Sequence, residues 1–176
     1  GLHQHRIPVD LILFADTGAE HPHTYAYLDI MDRWLKDHGM PPITRVWYTT
    51  RDGQRLTLEQ ECLRSASLPS IAYGYKQCFL KHKVSPQEKF CRHDPHCQKV
   101  WAGGGRVVKF IGYDAGEGYR SDKVLLGDLA DPKYSKWYPL MEWGWTRDDC
   151  IRQIEAAGLP QPGKSSCFFC PSMRAE

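Results

Sequence analysis

Apolar residues in this chain fall either in unbroken runs or at helical spacing, and the alternation between the two predicts its elements. "VDLILFADTG", residues 9–18, is a continuous apolar run closed by Asp-Thr-Gly, the pattern of a strand buried on both faces whose C-terminal end opens into a loop. From Pro22 to His38, Tyr27, Met31, Trp34 and Leu35 recur at helical spacing, and Gly39 followed by Pro41 and Pro42 supplies a stop. "ITRVWYTT", residues 43–50, is a second β-branched and aromatic strand, so the opening reads strand, helix, strand and predicts a parallel α/β core. Thr57 with Gln60 and Ser85 with Glu88 have capping-box spacing, the second with Pro86 at the first helical position, and predict two short helices. "RVVKFIGYDAGEGYR", residues 106–120, reads as a further core strand with its exit loop at Gly112 to Arg120. A loop of Asp, Pro, Lys and Tyr follows. Thr146 then caps a helix that runs through Ala157, buries Ile151 and Ile154 and stops at Gly158.

Composition narrows the class. The 176 residues suit one domain with a small appendage, and 41% hydrophobic with 25% charged residues are globular values. No apolar run approaches the roughly 18 residues of a membrane span, so a soluble, cytoplasmic protein with no membrane partner is expected. A net charge of +2 argues against a broad basic face for duplex DNA, although a local groove of Lys76, Lys81, His82 and Lys83 could meet phosphates. Seven cysteines, an odd number, with no visible signal peptide point to metal or catalytic use rather than a closed disulfide framework. The chain opens on Gly1 without an initiator methionine, and missing N-terminal residues are expected.

Three constellations carry chemistry. Asp16, Thr17 and Gly18, with Glu20 close behind, bring a carboxylate, a hydroxyl and a flexible backbone to a strand exit, where such a set can hold a ribose, a phosphate or a magnesium ion. The same residues also suit a turn built on a local hydrogen bond. The second strand exit offers Asp114, Glu117 and Arg120, whose planar guanidinium suits a phosphate or sulfate, or a solvated turn with a surface ion pair. The glycines of "AGGGR", residues 102–106, match no nucleotide fingerprint and read as a hairpin or flexible loop. Cysteine supplies the third. Cys167 and Cys170 have C-x-x-C spacing, whose two thiolates can bite one metal or cluster, and a closed site needs four ligands. Cys150 and Cys78, each near an element end, are the candidates to complete it. "CRHDPHC" offers Cys91, His93, His96 and Cys97 as a rival local zinc set, and Cys62 reads as a small buried hydrophobe.

Several stretches together resemble the adenine-nucleotide α-hydrolase superfamily, and specifically proteins similar to phosphoadenosine phosphosulfate (PAPS) reductase. They are "LFADTGAEHPHTY", "IGYDAGEGYR", "KWYPLMEWGWTRDDCIRQI" and "KSSCFFCPSM", in order along nearly the whole chain. The resemblance implies an α/β fold with a Rossmann-like (HUP-type), mostly parallel sheet and flanking helices. It divides the chain into a nucleotide-binding core, residues 1–145, and a Cys-rich C-terminal segment, residues 146–176. Asp16, Thr17, Gly18 and Glu20 would lie near the adenine nucleotide, Asp114, Glu117 and Arg120 at its second edge, and Cys167 and Cys170 would ligate a [4Fe-4S] cluster. Reductases of the family usually carry two adjacent cysteines where this chain has Cys78 and Phe79, and Cys150 is the expected replacement. The family's Ser-Gly-Gly-x-Asp-Ser phosphate loop and its terminal Glu-Cys-Gly segment do not occur in these residues. The implied activity is ATP pyrophosphatase and sulfurtransferase chemistry with ATP and Mg2+, a cysteine desulfurase as sulfur donor, and DNA (phosphorothioation) or tRNA as acceptor. Two alternatives accompany it: a thioredoxin-dependent PAPS reductase, and a zinc-stabilised binding module without turnover.

Overall fold

A computed structural model describes residues 1–70, 76–118 and 130–172. Its contacts divide the chain into two compact units, one of Val9–His93 with Pro162–Glu176 and one of Gly1–Pro8 with Asp94–Gln161. The units part after Pro8, His93 and Gln161, and the segment from Pro162 returns to the unit that holds the first strand.

In that unit, β1 (Ile12–Ala15) and β2 (Ile43–Val46) pair in parallel, Ile12 opposite Ile43 through Ala15 opposite Val46. Helix α1 (Pro22–Asp37) makes the connection that parallel strands require. It starts on Pro22, buries Thr24, Leu28 and Leu35 along one face, and ends just before His38 and Gly39. Two expectations change here. β1 is half-buried except at Ala15, because a sheet of two strands leaves each of them an edge. β2 stops at Val46, because the chain beyond it doubles back through Asp52 and Gly53 to bridge Thr49 with Arg55.

Helix α2 (Leu58–Ser65) has the expected capping box: the Thr57 hydroxyl accepts from the Gln60 amide while the Gln60 side chain accepts from the Thr57 amide. The second expected capping box does not form. Helix α3 (Gln77–Phe79) runs through a π turn (Leu80–Val84) into α4 (Ser85–His93), so Ser85 is helical, with its amide bonded to the Leu80 carbonyl. The wider turn accommodates Pro86, which brings no amide, and the Gln87 side chain donates to the Lys83 carbonyl at 2.9 Å. Helix α4 packs on both β1 and β2.

In the other unit, Asp94 caps α5 (Pro95–Ala102) by accepting from the Cys97 amide, and Gly103 closes that helix before β3 (Val107–Phe110). β3 pairs in parallel with β4 (Tyr134–Trp137), which lies where a loop was expected. Aromatic packing explains the strand: Tyr134 is buried with Lys109 above its ring at 3.6 Å, and Trp137 meets Phe110 edge-on. Helix α6 (Pro139–Glu142) follows, and then α7 (Arg147–Ala156) with a Thr146 and Asp149 capping box. Ile151 and Ile154 are half-buried rather than buried.

The result is a mixed α/β structure. Among the described residues the strands form two two-stranded parallel sheets and not one open sheet, and no helix is long and apolar enough to cross a membrane.

Candidate functional site

The exit loop of β1 is held by its own side chains. Asp16, Thr17, Ala19 and Glu20 are buried, and Gly18 takes φ +71°, a conformation that favours glycine. A Cβ at Gly18 would also stand 2.4 Å from the Thr57 methyl, so α2 closes tightly over the loop. Asp16 Oδ1 accepts from the Gly18 amide at 2.8 Å and the Tyr25 hydroxyl at 2.9 Å, and Oδ2 accepts from Arg55 at 2.8 Å. Arg55 lies over the Trp47 ring at 4.9 Å. The carboxylate of Asp16 is therefore engaged within the unit on both oxygens.

Glu20 is the more demanding group, since its side chain is 1% exposed. Lys83 Nζ, from the π turn, meets its Oε1 at 2.9 Å, and the Thr17 hydroxyl donates to the same oxygen at 3.3 Å. Oε2 has no partner. Of the four carboxylate oxygens of Asp16 and Glu20, three are engaged by side chains or backbone within the unit.

The C-terminal loop reaches this place through its backbone. Glu20 and Cys167 form an antiparallel bridge, flanked by Phe168 N–H donating to the Ala19 carbonyl at 3.0 Å and His21 N–H to the Ser166 carbonyl at 3.2 Å. Cys167 is thereby buried with its Sγ 3.4 Å from Thr17 Oγ1 and 3.9 Å from Glu20 Oε1. Burial pushes the Cys167 thiol above its ordinary value and the Glu20 carboxylate adds to that, while the Thr17 hydroxyl and Lys83 pull the other way. Cys170 N–H closes the C-x-x-C turn on the Cys167 carbonyl at 3.0 Å.

Around this turn the thiols collect. Ala19, Leu58 and Cys167 form a buried core, and Cys62, Cys78, Phe169 and Cys170 pack against it. Three of the four expected ligands, Cys78, Cys167 and Cys170, thus share one place with Asp16, Thr17, Gly18 and Glu20 in the same unit. Cys62 joins them, packed on the core but half-buried rather than fully buried. Cys150 belongs to the other unit, where burial and then the Asp114 carboxylate push its thiol upward. Asp114 there accepts from the Gly116 amide at 2.9 Å and caps a short turn containing Glu117. Arg120 lies outside the described residues.

Two expectations concern basic and histidine-rich stretches. His82 is buried at 1% exposure, and its Nε2 and Lys81 Nζ each meet the Glu61 carboxylate at 2.5 Å, while Lys83 serves Glu20. Of the four basic residues expected to form a groove, Lys81, His82 and Lys83 thus balance buried and half-buried acids, and Lys76 is exposed. In "CRHDPHC", Cys91 and Cys97 are buried on α4 and α5 while His93 and His96 are exposed. Among the described residues, no group of three or more His, Cys, Asp or Glu is placed to hold a single metal ion. No family model, curated protein or solved structure matches this chain.

Two outcomes follow from the buried acids. Lys83→Met is expected to lower unfolding stability by roughly 2–3 kcal/mol, below the ~3–5 of a fully buried pair because Lys83 stays a third exposed. Adding Glu20→Gln should recover most of that loss in urea titrations. A Lys83→Met loss under about 0.5 kcal/mol would show that the pair does not hold the loop. Tyr25 is pushed up from 10.0 to about 12, by burial first and then by its hydrogen bond to Asp16. Its proton is held more tightly in the folded chain, so its stabilisation is complete below pH 10 and fades as pH rises toward 12. Tyr25→Phe should therefore cost about 1 kcal/mol at neutral pH, with the gap to wild type closing across that alkaline window. A constant gap would contradict the assignment.

Proposed function

We propose that the chain is a PAPS reductase-like ATP pyrophosphatase and sulfurtransferase whose β1–β2 unit is the cluster-binding part of a Rossmann-like (HUP-type) nucleotide enzyme. The observation that carries this reading is the convergence of Cys62, Cys78, Cys167 and Cys170 on one apolar core beside the exit of a parallel strand. An all-thiolate donor set with two members in a C-x-x-C turn fits a [4Fe-4S] cluster, and these four residues would hold it. A cluster asks for different spacing from a single ion, because each thiolate binds a different iron. When bound it supplies one-electron or sulfur-binding chemistry.

The chain's own residues have separable parts in this reading. Thr17 sets its hydroxyl against the Cys167 sulfur, as ligand sulfurs commonly require. Lys83 neutralises Glu20, so that a buried carboxylate does not stand uncompensated beside a thiolate. The Asp16 and Arg55 pair fixes the loop at the strand exit, the place where parallel sheets bind nucleotides. The reaction class is adenylation of an acceptor by ATP, with loss of pyrophosphate, followed by displacement of AMP by sulfur. The donor in this reading is a cysteine desulfurase and the acceptor DNA or tRNA.

Metal and sulfide analysis of anaerobically purified protein tests it. About four irons and four acid-labile sulfides per chain are expected, lost in Cys62→Ala, Cys78→Ala and Cys167→Ala and kept in Cys150→Ala. One zinc without sulfide would make the site structural and overturn the sulfur chemistry. Loss in Cys150→Ala with retention in Cys62→Ala would return Cys150 to the ligand set.

A further inference from the structure

Two of the collected thiols lie on segments joined by a contact that involves no sulfur. Cys62 lies on α2 and Cys78 on α3, and both pack against Ala19, Leu58 and Cys167. Glu61, the residue before Cys62, bonds Lys81 through Oε1 and His82 through Oε2, each at 2.5 Å. Both partners lie in the π turn that continues α3, and His82 is anchored by burial against the Tyr48 ring. This brace fixes the Cys62-bearing helix against the segment that carries Cys78. Both thiols are half-buried, as is Cys170, whereas Cys167 is buried with its sulfur against Thr17 and Glu20, and the Glu61 brace joins only the segments of Cys62 and Cys78.

We propose that Cys62 and Cys78 are a modification site: in the metal-free chain they close a reversible disulfide by exchange with a small-molecule disulfide such as oxidised glutathione. One protein thiolate attacks a glutathione sulfur, forming a mixed disulfide and releasing one glutathione thiolate. The second protein thiolate attacks the protein sulfur of that mixed disulfide and releases the other. Two cysteine thiols are oxidised, one small-molecule disulfide is reduced to two thiols, and the two cysteine protons end on the thiols released. The new bond staples α2 to α3. One consequence rests on the cluster reading above: the disulfide withdraws two of the four ligands, so the site cannot be loaded until it is reduced. The pairing itself rests only on the placement of the thiols.

The test uses the 176-residue chain, stripped of metal by a chelator, equilibrated anaerobically with oxidised glutathione, quenched by alkylation and mapped by peptide mass spectrometry. The dominant product should link Cys62 to Cys78 and return to free thiols with dithiothreitol. It should form equally in Cys150→Ser, whose thiol belongs to the other unit. In Glu61→Ala, with circular dichroism unchanged, its yield should fall several-fold while mixed disulfides with glutathione accumulate. Linkage mainly to Cys167 or Cys170, mixed disulfides that never close in wild type, or no reaction would each overturn the proposal. Absence of iron, zinc and sulfide from purified protein would sink the cluster reading and leave this result standing. Failure of the disulfide would in turn leave the metal analysis untouched.

Discussion

A single backbone bridge, Glu20 to Cys167, organises the unit that carries the candidate site. It joins residues separated by most of the chain, and its flanking hydrogen bonds from Phe168 and His21 seat the C-terminal loop on the exit loop of β1. Backbone groups buried at such a junction need partners, and the bridge supplies them mutually. Once seated, Cys167 becomes part of the core with Ala19 and Leu58, and the loop sequence brings Cys170 beside it. The C-x-x-C pair is therefore a structural component of the β1 exit and not an appendage to it.

Seating that loop buries acids, and the run from α3 to α4 compensates them. Lys83 meets Glu20, and Lys81 with His82 meets Glu61, so one helical segment with a π turn neutralises two carboxylates. The π turn matters because it lets these three consecutive residues serve two acids while the chain passes Pro86 without breaking the helix. Removing one partner of a buried pair costs more than the pair contributes, which is why this charge pattern ties the local fold to the site.

The sequence made some of this legible and left other parts hidden, for physical reasons. The strand, Asp-Thr-Gly loop and following helix follow from local patterning, as do the capping boxes at Thr57 and Thr146, because hydrophobic period and cap chemistry are short-range signals. The C-x-x-C pair was visible for the same reason. Ser85 misled because the same spacing occurs inside a continuous helix whose course is set by the preceding turn. β4 was missed because "YSKW" has little strand signal until Tyr134 and Trp137 find Lys109 and Phe110 on the neighbouring strand. Cys62, and the pairing of Lys83 with Glu20, depend on contacts between segments distant in sequence, which no local pattern announces.

The most direct measurement of the central claim is native-state amide hydrogen exchange of Phe168 and His21, the two donors that flank the bridge. If the C-terminal loop is built into the β1 exit, both amides exchange as slowly as the β1–β2 ladder amides and open in the same cooperative step. Exchange at the rate of a free loop, with the ladder still protected, would contradict the account: the cysteines would then not be assembled by the fold.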